Sequence, residues 1–136
     1  MNPLSIQRYQ ELEADETKLR RLTGFKHLDF ESLHLLFKEK WQGYFAQFTL
    51  DGSSRVRQAS IRKNSIFPDT KDALLFGLIY LNGKVSQEQL ANFFGVDQPK
   101  ASKYLRLIQQ MLHQILEGNP RTIPKKKQKQ LLNVLP

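Results

Sequence analysis

Residues 98 to 106 read QPKASKYLR, and this stretch concentrates side chains suited to contacting an anion or a base edge: Gln98, Lys100, Ser102, Lys103 and Arg106. Lys100, Lys103 and Arg106 recur at every third position. On a helix each such step turns about −60°, so the three fan over roughly a third of the circumference. A helix of ordinary width fits the major groove of duplex DNA. There Gln98 can make a two-pronged contact to adenine, and Arg106 can do the same to guanine or bind a phosphate instead. Lys100 and Lys103 suit phosphates. Asp97 can accept from cytosine or cap its own helix. The same charges also fit a plain solvated face, and spacing alone does not separate the two.

Two further cationic clusters flank this stretch. Arg55, Arg57, Arg62 and Lys63 lie in one; Lys125, Lys126, Lys127 and Lys129 lie in the other. Either can track a phosphate backbone or simply be a solvated charge run. The net charge is +8. Residues 1–50 hold equal numbers of basic and acidic side chains, so the whole excess lies beyond residue 50. A regional basic excess is the electrostatic footprint of a polyanion-binding surface. Double-stranded DNA is therefore the expected partner, with affinity that falls steeply as salt rises.

Other chemistries find less support. There is no cysteine, which rules out disulfides and Cys-based metal sites and fits a cytoplasmic protein. "HLDFESLH" brings Asp29, Glu31 and His34 close in sequence, but not at a metal-binding helical spacing, and a surface position is expected for them. Asp69 and Asp72 lie in a first helical turn, where carboxylates favour the helix dipole, and read as capping residues rather than an acid pair. No Gly-rich phosphate loop and no nucleophile arrangement stands out. The chain is read as a binding protein rather than an enzyme, with no cofactor. The longest apolar run, residues 73–81, is too short for a bilayer, which needs about 20 residues.

The elements that must position these residues follow from periodicity and caps. Residues 3–21 read as a charged helix with a thin apolar stripe of Tyr9, Leu12, Leu19 and Leu22, broken by "TGF" at 23–25. The heptad between Leu12 and Leu19 raises a coiled-coil contact, and with it a homodimer. A second helix is expected to start at an Asp29 cap, with aromatics on its apolar face, and Gly43 as a point where it can shorten. Residues 49–67 change character: Asp51-Gly52 signals a turn, and the basic stretch that follows is a loop or small β-ribbon. Pro68-Asp69 opens a helix over about 70–82 that is apolar nearly all round and should be buried. Ser86 and Gln89 form a capping-box pattern for a helix over about 87–94, ended by Gly95. Asp97 then caps a last long helix that stops at Gly118-Asn119-Pro120.

The segment from 86 to 106 meets the demands of a helix-turn-helix. Its first helix is short, Gly95 makes the turn, and Ala91, four residues earlier, is small where the helices approach. Ala101 and Tyr104 face inward six and nine residues later. The expected fold is mainly α: a helix-turn-helix bundle of about five helices with a basic loop or small β-ribbon and a basic C-terminal tail. It divides into a charged helix at 1–22, the helix-turn-helix domain at 23–118, and a basic tail or linker at 119–136.

"LTGF", followed by "FPDTKDALLFGLIYLNGKVSQEQLANFFGVDQPKASKYLRLIQQMLHQIL", resembles the N-terminal helix-turn-helix region of bacterial insertion-sequence transposases with a DDE nuclease domain. The resemblance spans roughly residues 22–117. It implies recognition of the inverted repeats at the element's ends, with Gln98, Lys100, Ser102, Lys103 and Arg106 in the recognition helix, at the bacterial nucleoid. The sequence ends at "NVLP", where that family continues into the nuclease, so cleavage is not assigned to this chain. A first-reading-frame product, a shortened piece and a domesticated fragment all fit. The resemblance implies the catalytic part of the transposase as a partner; the alternatives are pairing with that part or with itself as an interaction module, or a stand-alone transcriptional repressor.

Overall fold

A computed structural model describes residues 9–54, 67, 69–119, 121, 123, 125 and 128. Six helices form among them: α1 (Tyr9–Leu12), α2 (Glu16–Thr23), α3 (His27–Gln47), α4 (Thr70–Leu81), α5 (Gln87–Phe94) and α6 (Gln98–Gly118). The protein is mainly helical, as the periodicity predicts.

The organising element is α4. Asp69 caps it by accepting from the Lys71 N–H, and the helix is buried from Asp72 through Ile79. The other five helices all pack against it. Phe76 is fully buried, 4.9 Å from the Phe94 ring of α5, while Gly77 faces Ile108 of α6. Burying a side chain the size of phenylalanine stabilises by about 1.5–3 kcal/mol, so the apolar wrap on α4 drives the assembly.

The N-terminal part differs from a single charged helix. Asp15 accepts from the Lys18 N–H and restarts the chain as α2, separating it from α1. Leu12 and Leu19 are 1 % and 0 % exposed and belong to the common core, so their heptad is an internal stripe rather than an open coiled-coil seam. "TGF" ends α2 through a left-handed Gly24, and the Thr23 hydroxyl donates to the Leu19 carbonyl and accepts from the Phe25 N–H. The long α3 starts at His27, two residues before the expected Asp29 cap; Lys26 precedes it without a side-chain cap, and Asp29 falls in the first turn. Gly43 does not shorten it: the helix runs on to Gln47.

Two groups expected at the surface or as simple caps are buried. Asp72 accepts from the Tyr9 N–H at 2.8 Å, tying the start of α1 to α4. His34 is buried, its Nε2 2.7 Å from the Thr70 hydroxyl. The surface position expected for it fails because α4 starts directly over it. Nearby, the Tyr9 hydroxyl donates to Glu31, which also accepts from Lys71 at 3.1 Å. Burial works to raise the Glu31 carboxyl, but these two bonds and the positive charges of Lys71 and His27 outweigh it and hold it below the usual carboxylate range. Burial and the Glu31 bond push the Tyr9 phenol well up.

Burial, with Lys71 beside it, holds the His34 imidazole below its ordinary value, against the opposing pull of Asp69 and Glu31. The unfolded chain therefore takes up this proton at higher pH than the native one. Stability is full above the ordinary histidine range near pH 6.5 and falls as pH drops below it. The melting temperature should be lower at pH 5 than at pH 7.5. His34→Gln should shrink that difference; an unchanged difference would show that His34 is not the titrating group.

The chain after α6 also departs from a bare linker, since Ile123 is 1 % exposed and joins the core.

Candidate nucleic-acid interface

The capping box at Ser86 and Gln89 is fully formed and fixes the start of α5. Its end is set by Gly95 at φ +67°, a left-handed conformation in which a side chain is strained. The Val96 N–H donates to the Ala91 carbonyl, closing the turn. Asp97 then caps α6 by accepting from the Lys100 N–H, which uses its carboxylate locally. Ala91 and Ala101 are both buried where small residues are required. These are the positions that the sequence assigns to a helix-turn-helix.

One face of α6 is core: Ala101, Leu105, Ile108 and Leu112 are at most 2 % exposed. Behind it Trp41 of α3 stacks on Tyr104 at 6.1 Å, and Phe67 meets the same ring edge-on at 5.0 Å. Burial raises the Tyr104 phenol above its ordinary value. These aromatics orient the helix so that its opposite face looks outward. On that face Gln98, Lys100, Lys103 and Arg106 are exposed, and Ser102 is half-buried.

The outward face borders a cleft of about 530 Å³. Ser102, Lys103, Arg106 and Gln110 line one wall; Leu50, Asp51 and Gly52 line the other. The second wall is a tight turn after α3. The Thr49 N–H donates to Ser53, and Phe48 and Ser54 form an antiparallel bridge. The expected β-ribbon is thus, among the described residues, a single bridge. The Tyr44 hydroxyl donates to the Thr49 carbonyl and pins the turn to α3. Asp51 at its tip forms an ion pair with Lys103. Asp51 reads in the sequence only as a turn residue; nothing links it to Lys103, 52 positions away.

The structure brings Gln98, Lys100, Ser102, Lys103 and Arg106 together on one helix. Lys125 is exposed. Arg55, Arg57, Arg62, Lys63, Lys126 and Lys127 lie outside the described residues. Among the described residues, no group of three or more His, Asp or Glu side chains could hold a metal ion. No described helix is long and apolar enough to cross a membrane.

No family model matches this chain, and no curated protein or solved structure matches it significantly.

Proposed function

We propose that this protein binds double-stranded DNA sequence-specifically, through the outward face of α6, at the terminal inverted repeats of a transposable element. The observation that carries this reading is the two-sidedness of α6 directly after a tight glycine turn. Its inner face is locked in the core, while Gln98, Lys100, Lys103 and Arg106 are left open to solvent. Such a surface suits an anionic partner, and a helix start is where side chains reach base edges. Inverted repeats as the target, the transposase catalytic part as a partner and a place at the nucleoid rest on the family resemblance. The role proposed is binding, with no cofactor and no catalysis by these residues.

Selection of bound fragments from a genomic duplex pool tests the reading. The expected result is enrichment of one motif, with affinity for random duplex falling steeply between 50 and 200 mM salt, a range over which several phosphate contacts cost orders of magnitude. Failure to retain any duplex at low salt would sink it.

A second reading is pairing with another copy of the chain. Leu28 and Leu35, one heptad apart on α3, are 78 % and 69 % exposed. Two leucines cover little of the roughly 800 Å² per partner of a standard interface, so this reading ranks behind DNA binding. A monomer mass in sedimentation at micromolar concentration would dispose of it.

A further inference from the structure

Lys103 is not idle in the free protein. Its ammonium meets the Asp51 carboxylate at 2.5 Å, with both side chains more than half exposed. The carboxylate is held there by construction rather than by a loose side chain. The turn that carries Asp51 is closed by the Thr49–Ser53 and Thr49–Gly52 backbone bonds, and Gly52 adopts φ +87°. The Tyr44 hydroxyl anchors it at 3.0 Å, and Leu50 packs on the core. A negative charge is therefore presented to the cationic face of α6 at Lys103, across a cleft that Arg106 also lines.

We propose that Asp51 is a specificity-determining residue that acts as a built-in competitor for Lys103. The inference rests on the DNA-binding reading above. The Asp51 carboxylate occupies the place of a phosphate oxygen. Any duplex that approaches must displace it and then sit beside its charge. Non-specific binding comes almost wholly from neutralising phosphates, so it bears this penalty in full. A cognate duplex also offers base-edge contacts, and its fixed register can set a cytosine amino group, a hydrogen-bond donor, against the carboxylate. Asp51 thus lowers affinity for random DNA more than for target DNA. An exposed ion pair holds weakly, so the exchange is rapid and reversible.

The test measures binding of a random-sequence 20-base-pair duplex, and of the best duplex from pool selection, to the full chain. Asp51→Asn keeps shape and removes the charge; Asp51→Ser guards against an effect of the amide. Both should bind the random duplex about 3–10-fold more tightly, with a log–log salt slope steeper by about 0.9, the mark of one more neutralised phosphate. Affinity for the selected duplex should change less. In a Lys103→Met background the Asp51→Asn gain should shrink to the small part that comes from Asp51's own repulsion of phosphate, whereas a gain independent of Lys103 would rule out competition for it. If the wild type binds but Asp51→Asn leaves random-duplex affinity and slope unchanged, this inference falls and the DNA-binding reading stands. If neither protein binds duplex at 50 mM salt, both fall.

Discussion

Gly77→Val is expected to destabilise the fold by roughly 2–3 kcal/mol, with the melting temperature falling by about 10 °C. A Cβ at Gly77 would lie 2.5 Å from Cγ2 of Ile108. That methyl sits on a β-branched side chain, which has one strongly preferred rotamer in a helix and cannot swing aside. The added atom must push α4 from α6. Alanine in place of a helical glycine normally gains about 1 kcal/mol; here Gly77→Ala should lose about that much instead. The cause is separable by a double-mutant cycle. Ile108→Ala alone should cost about 2–5 kcal/mol by leaving a cavity, yet Gly77→Ala and Ile108→Ala together should cost at least about 1 kcal/mol less than their sum. Additive losses in thermal or denaturant unfolding would show that the two residues do not crowd each other.

Gly77 also shows where sequence reading stops. Local signals were legible because their physics is local. Ser86 with Gln89, Gly95, and the Asp69 and Asp97 caps each satisfy backbone groups within a few residues, and the structure forms each of them. The all-apolar run from Ala73 to Leu81 likewise announces a central helix. Long-range pairings leave no such trace. Nothing near Gly77 in the sequence marks Ile108 as the side chain that its missing Cβ makes room for. Asp72 reads as a dipole partner, although it holds the Tyr9 N–H 63 positions away. His34 reads as a surface residue until α4 covers it. The candidate interface divides the same way. The outward residues of α6 follow from helical periodicity plus a known inner face, whereas the Asp51 wall depends on where the turn after α3 lands.

The second large effect concerns what the outward face reads. Arg106→Ala is expected to cost about 1–3 kcal/mol on a selected duplex and much less on a random one, narrowing the gap between them. Arg106 is exposed one helical turn beyond Lys103, on the wall of the cleft, and among the described residues no carboxylate forms an ion pair with its guanidinium. A planar guanidinium on an exposed helix face can pair both acceptors of a guanine edge, which a lysine cannot match in geometry. Neutralising Lys125, Lys126 and Lys127 should behave differently. A tail that meets only phosphates weakens both duplexes about equally and flattens the salt slope by up to about 0.9 per lost contact. The contrast between the two variants carries the information, because either loss alone would follow from removing positive charge anywhere. Equal losses on both duplexes, in both variants, would mean that Arg106 meets phosphate. Sequence reading would then belong to Gln98 and the residues nearer the glycine turn.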